Sequence, residues 1–268
     1  MTRLASWADY GTHDESAYPE LWRGCVGAWA PCLGPTGTRL HDLSRFRNWG
    51  TLTNMVPGDD WVVSGGRYAL DFDPSDDIVD CGTGIYTGGS LTVTGWICRS
   101  GTGDNNNNVI CAKGSMNGDS SSTFALYYNT SLGWSWFCVN GASSLFICRS
   151  LTSTALDTWY FVCGTFSASG LRLYVDGREV ASASGGVVKE STHATTLGRS
   201  GAIGGNCLLD DIRVIRRELS PAEIRLLATR RGIAYERRKR NQVYFDAAFF
   251  NPAWARNSNV ILSPVGAA

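Results

Sequence analysis

Between residues 23 and 220 the chain is a succession of short β-branched and aromatic runs, cut by clusters of Gly, Asn, Ser and Asp. The runs "SLTVTGWIC" (90–98), "FALYY" (124–128), "SWFCV" (135–139), "LFICR" (145–149), "WYFVCGTF" (159–166) and "LRLYV" (171–175) mostly alternate. That is the period of strands, not helices. "GDNNNNV" (103–109) and "GSMNGDSSS" (114–122) between them are too polar to bury and read as loops. Asp176-Gly177, placed between "LRLYV" and Val180, is the dipeptide suited to a two-residue type I′ turn. Many short strands at this spacing predict an all-β sandwich or barrel. On the apolar phase of their strands, Phe72, Trp96, Trp159, Cys163 and Val175 are expected between the sheets.

One helix is expected. In "LSPAEIRLLATRRG" Ser220 can cap, Pro221 suits the first turn, Glu223 completes a capping box and Gly232 can end the helix. Composition then shifts to the basic run "YERRKR" (235–240) and a nearly uncharged aromatic tail. The chain thus divides into an N-terminal arm (1–22), a sandwich with its closing helix (23–232), and a basic run with an extended apolar tail (233–268). In the tail Tyr244, Phe245, Phe249, Phe250 and Trp254 would expose a large apolar patch in water. They are expected to serve assembly, in a homo-oligomer or against other subunits of a larger particle.

Bulk properties narrow the function classes. The formal charge of the 268 residues sums to zero, so no global field draws the chain to nucleic acid, and the basic run lacks aromatic interleaving. No apolar stretch is long enough to span a membrane, and the first twenty residues contain no secretory h-region. A virion surface, or otherwise the cytoplasm, is the expected location. Nine cysteines, an odd number with no C-x-x-C pair, are expected to be buried free thiols.

Five segments, in order, resemble the laminin-G-like jelly-roll domains of the concanavalin A-like lectin/glucanase superfamily. They are "GCVGAWAPCLGPTGTRLHDLSRFRNWGTLTN" (24–54), "ALDFDPSDDIVDCG" (69–82), "SLTVTGWIC" (90–98), "TWYFVCGTFSASGLRLYVDGREVASAS" (158–184) and "LLDDIRVIRRELSPAEIRLL" (208–227). The resemblance implies a two-sheet antiparallel jelly-roll sandwich with one short C-terminal helix and an extended tail. It also implies that residues 24–30 pair antiparallel with 207–215, which would bring Cys32 near Cys207. Short chains of this kind with a basic helix end and an aromatic tail look like virion surface or decoration proteins of bacteriophages and prophages. A free carbohydrate-binding or adhesion module is the alternative, and a glycoside hydrolase the third reading.

The chemistry of the side chains separates these readings. Retaining glycoside cleavage needs two carboxylates about 5–5.5 Å apart. The chain has no Glu-x-Asp-x-Glu run, its Glu residues are scattered, and "DFD" (71–73) lacks a third acid. No enzyme is therefore expected. The resemblance places a Ca²⁺ site at Asp42, Asn48 and Asp210, although Arg45, Phe46 and Arg47 stand where the family loop is usually glycine-rich. The other arrangement open to these residues is that Asp42 caps a turn and Asp210 pairs with an arginine. A glycan would need exposed aromatics, since a pyranose offers an apolar face ringed by hydroxyls. Trp134 and Trp136, on one face of a strand, with Tyr127 nearby, are the residues expected to supply them, unless they are core.

Overall fold

The computed structural model describes residues 16–85, 87–118 and 120–237. The chain divides into two units, Met1–Arg237 and Arg238–Ala268, and the described residues all belong to the first. Residues 241–268, with the side chains expected to serve assembly, lie outside the described residues.

The first half of the chain gives β1 (Cys25–Trp29), β2 (Arg39–Leu40), β3 (Gly50–Thr53), β4 (Trp61–Ser64), β5 (Arg67–Phe72), β6 (Ile78–Asp80), β7 (Leu91–Arg99), β8 (Asn107–Gly114) and β9 (Ser122–Asn129). The second half gives β10 (Gly133–Val139), β11 (Leu145–Ser150), β12 (Trp159–Ser167), β13 (Gly170–Val175), β14 (Arg178–Ala183), β15 (Thr195–Leu197), β16 (Arg199–Ser200), β17 (Ile203–Gly204) and β18 (Cys207–Ile215). Two large antiparallel sheets result. One has the order β14-β13-β12-β7-β18-β5-β4, with β1 also on β18; the other runs β11-β10-β9-β8-β15-β6-β3-β2. This is the expected jelly-roll sandwich, closed as expected by β1 on β18 (Cys25 opposite Ile215, Trp29 opposite Ile212).

Local chemistry accounts for the joints. Asp176 and Gly177 both take positive φ (48° and 77°), as a type I′ turn demands, and join β13 to β14. Helix α1 (Pro221–Leu227) starts on the capping box: the Ser220 side chain accepts from the Glu223 amide, and Glu223 accepts from the Ser220 amide at 2.8 Å. The helix stops sooner than expected, at Ala228. Gly232, in the left-handed region, opens a 3₁₀ turn over Ile233–Tyr235 instead.

The main core lies between the sheets. Leu91, Val93, Ile97, Val162, Phe166, Leu209, Ile212 and Val214 of the first sheet meet Ile110, Phe124, Leu126, Trp134, Trp136 and Cys138 of the second. The sheets approach so closely at Gly164 that a Cβ there would sit 2.3 Å from the Trp136 indole. Only glycine fits.

A second apolar cluster covers the other face of the first sheet. Trp96, Phe161 and Cys163 pack there under Leu21, Trp22, Ile224, Leu227, Ile233 and Tyr235. This corrects the expected core. Phe72 lies between the sheets and Val175 packs against that core, but Trp96, Cys163 and the half-buried Trp159 belong to the outer cluster. Along the central strands β7 and β18 both faces of this sheet are buried, so the alternation that marks an apolar face did not say which face is inside. Cys32 and Cys207 likewise fall in different clusters, Cys32 outer and Cys207 inner, and all nine cysteines are free and buried.

Candidate functional site

Among the described residues only two aromatic rings are exposed, Phe46 at 46% and Trp49 at 41%. Both sit in the short loop "SRFRNWG" (44–50) that leads into β3. That loop is built on one buried carboxylate. Asp42 Oδ1 accepts from the amides of Ala28 and Ser44, each at 2.8 Å, and its Oδ2 accepts from the Ser44 hydroxyl and the Asn48 amide, each at 2.7 Å. The Asn48 side chain donates to the Val26 carbonyl at 3.0 Å, and the Trp29 indole donates to the Asn48 carbonyl at 2.9 Å. Burial pushes the Asp42 carboxyl up, and these donors pull it back toward its charged form. The result is a loop tied at both ends to β1, with its aromatic side chains left outside.

Each exposed ring carries a guanidinium. Arg45 lies 4.9 Å over the Phe46 ring and Arg39 lies 4.9 Å over Trp49, whose indole also stacks on His41 at 5.3 Å. Beside the loop, between it and the start of β1, opens a cleft of about 430 Å³, lined by Arg23, Arg45, Phe46 and Arg216 among others. Apolar rings next to guanidinium N–H donors are suited to ligands that pair an apolar face with polar or anionic groups.

A second cleft, of about 360 Å³, has the opposite character and is lined by Asp59, Asp60, Asp71, Asp73, Asp76 and Asp77. Asp73, Asp76 and Asp77 bring carboxylate oxygens within 4.8 Å of one another. They also organise their own turn: Asp73 accepts from the Ser75 amide at 2.8 Å, and Asp77 from the Asp73 amide at 2.9 Å. Burial, reinforced by the charges of Asp73 and Asp60, pushes the Asp77 carboxyl up to about 6.

The residues expected to bind calcium are not gathered as a site. Asp42 and Asn48 are together, but both Asp42 oxygens are already engaged by N–H and O–H donors. Asp210 is buried on β18. Its Oδ1 accepts from the amides of Cys32 (3.0 Å) and Asp211 (2.8 Å), and the positive charge beside its Oδ2 is the Arg231 guanidinium at 3.5 Å. Asp42 and Asp210 share no hydrogen-bond partner. The three residues do not fit a Ca²⁺ ion, whose six to eight ligands are oxygens with free lone pairs.

The expected sugar-binding aromatics are also displaced. Trp134 and Trp136 are fully buried between the sheets, Trp136 donating to the Thr165 carbonyl at 3.0 Å and Trp134 packed edge-on against Tyr128. Tyr127 is buried on the outer side of β9 against Phe137. None offers a ring face to a ligand. The spacing of the tryptophans correctly puts them on one face, but that face is the core. The exposed rings at Phe46 and Trp49 were missed. Their signal was the interruption of the family's glycine-rich loop by Arg45, Phe46 and Arg47.

A laminin-G family model, described as the concanavalin A-like lectin/glucanases superfamily, matches residues 73–225, more than half of the chain. A comparison with curated sequences finds no match. Among solved structures, the ligand-binding domain of botulinum neurotoxin serotype D in complex with N-acetylneuraminic acid is similar, with a TM-score of 0.58 at 18% identity over 80% of this chain and 52% of that one. The binding domain of Paraclostridial mosquitocidal protein 1 gives 0.57 at 14% identity over 78% of this chain and 52% of that one. Trypanosoma rangeli sialidase in complex with sialic acid gives 0.53 at 15% identity, over 76% of this chain but only 32% of the sialidase. The chain thus spans about half the length of the toxin domains it is similar to, and these likenesses concern the fold. By its two-sheet architecture and the matched residues, the chain belongs to the concanavalin A-like lectin/glucanases superfamily.

Proposed function

We propose that this domain is a non-catalytic, lectin-like glycan-binding module whose binding surface is the loop 44–50. The observation that carries the reading is the exposure of Phe46 and Trp49, alone among the described aromatics, on a loop fixed by buried Asp42. The exposed parts of the two rings would supply apolar contact, and Arg39 and Arg45 the donors for ring hydroxyls. The likeness to a toxin ligand-binding domain solved with N-acetylneuraminic acid supports the same direction.

Hydrolysis is disfavoured by geometry. The carboxylates that come together, Asp73, Asp76 and Asp77, lie on one turn and hold its backbone, whereas a glycosidase sets its two acids across the scissile bond. Among the described residues no helix is long and apolar enough to cross a membrane. A glycan array probed with the full chain tests the binding reading. Capture of glycans by the wild type and its loss in Trp49→Ala are expected; an array without signal would overturn it.

The finer role, a virion surface or decoration component, rests on the apolar composition of residues 241–268. Co-purification of the full chain with particle proteins, lost when 241–268 are deleted, is its expected result.

A further inference from the structure

We propose that the cleft beside the loop is an anion pocket, which makes acidic saccharides, bearing a carboxylate or a sulfate, the preferred ligand class. This rests on the glycan-binding reading and adds the charge of the ligand to it.

The cleft lies between the start of β1, the loop 44–46 and the end of β18, and its volume of about 430 Å³ is within the range of small-ligand sites. Three of its lining residues are arginines, Arg23, Arg45 and Arg216, and none is Asp or Glu. In a chain whose formal charge sums to zero, such a concentration is local. The neighbouring Arg217 shows what a structural arginine looks like here. It holds both carboxylate oxygens of Glu223, at 2.6 and 3.0 Å, and donates to the carbonyls of Arg23 and Glu20. Arg23 and Arg45, by contrast, are exposed at the rim, and Arg45 is oriented by the Phe46 ring beneath it. The carboxylate tied to the cleft through Ser44, that of Asp42, has both oxygens turned to the loop backbone and to the Ser44 hydroxyl.

The ligand chemistry follows. A planar guanidinium recognises a carboxylate or sulfate through paired N–H donors, more strongly than it recognises a hydroxyl. Phe46, which is exposed and lines the cleft beside Arg45, would take an apolar edge of the sugar ring. A free phosphate or sulfate would use the arginines without the ring; an acidic saccharide uses both.

Calorimetric titration of the full chain with N-acetylneuraminic acid, glucuronic acid, glucose 6-sulfate, glucose and inorganic sulfate tests this, at low and high salt. The expected result is binding of one or more acidic sugars in preference to glucose, weakened by salt. In the double variant Arg23→Gln/Arg45→Gln that binding should fall at least about tenfold, with an unchanged unfolding midpoint. The probe bound best tells carboxylate from sulfate recognition. Equal binding of glucose and the acidic sugars, untouched by the double variant, would overturn the anion pocket and leave the glycan-binding reading standing. Binding of inorganic sulfate alone would overturn the saccharide assignment together with that reading, and no binding of any probe would overturn the proposal.

Discussion

The two faces of the first sheet are both buried along its central strands β7 and β18, yet they are built from different materials. The inner face presents Leu91, Val93, Ile97, Val162, Phe166, Leu209, Ile212 and Val214 to an equally apolar partner sheet. The outer face mixes Trp96, Phe161 and Cys163 with Asp210, Asp211 and Arg213, all buried beneath the terminal segments. Arg213 lies 4.6 Å over the Trp22 ring and 5.7 Å from Tyr235, while Asp211 accepts from the Gly232 amide at 3.0 Å. The difference is one of design. Apolar packing holds the two sheets together without regard to pH, whereas the terminal segments are fastened by charges that have lost their water and depend on their partners.

A β-bulge makes the mixture possible. The pairing of β18 with β7 slips between Asp210 and Arg213, and Asp211 takes a positive φ of 47°. The extra residue lets Asp210, Asp211 and Arg213 all serve the outer side while Leu209, Ile212 and Val214 stay inside.

The sharpest break of the inner face is Trp136→Ala, which should cost about 3–5 kcal/mol in denaturant unfolding. Gly164→Ala should also destabilise, because the added methyl has the Trp136 ring in its place. Neither cost should depend on pH. On the outer face Arg213→Met is expected to cost about 3 kcal/mol at neutral pH, since it takes from buried Asp211 the larger of its two neighbouring positive charges and leaves only that of Arg67. Its cost should shrink in acid, where Asp211, already pushed up by burial, takes a proton. An Arg213→Met penalty identical at both pH values would remove the distinction between the faces.

A smaller effect is the pH slope of the wild type. Burial, with the Asp211 charge beside it, pushes the Asp210 carboxyl up to about 7. The native state therefore binds this proton more tightly than the unfolded chain does. Stability from this group is greatest below the ordinary carboxylate range, near pH 4, and is lost as pH rises toward about 7. Asp210→Asn should flatten that part of the curve. Glu223 acts in the opposite sense. Burial would raise it, but Arg217 and the Ser220 capping groups bring it down to about 2, so its contribution is lost as the solution is acidified from about 4.5 toward 2. Smallest of all, a chelator should leave the unfolding midpoint unchanged, because Asp42 and Asp210 already have their partners.

Strand alternation, the Asp176-Gly177 turn and the Ser220–Glu223 capping box were all readable from sequence, because each depends on residues close together in the chain. So was the free state of the cysteines: burial raises every one of the nine thiols. Which face of a strand is the inner one was not readable. In β7 and β10 every residue is buried, so alternation assigns Trp96 or Trp134 to a face without saying what lies against it. The bulge at Asp211 hides for a related reason, since it shifts phase within an otherwise regular run. The loop 44–50 shows the opposite failure. Its Arg-Phe-Arg and Trp were visible, but only the contacts of Asp42 reveal that they stand outward on a fixed base.

That base and its rings can be tested together by measuring glycan affinity on the full chain, wild type against Trp49→Ala and Asp42→Asn. Trp49→Ala should abolish most of the affinity while changing stability by no more than about 0.5 kcal/mol, as for an exposed side chain. Asp42→Asn, which turns an acceptor of four donors into a poorer one, should lower affinity and loosen the loop. Wild-type affinity retained in both variants would contradict a binding surface at Phe46 and Trp49.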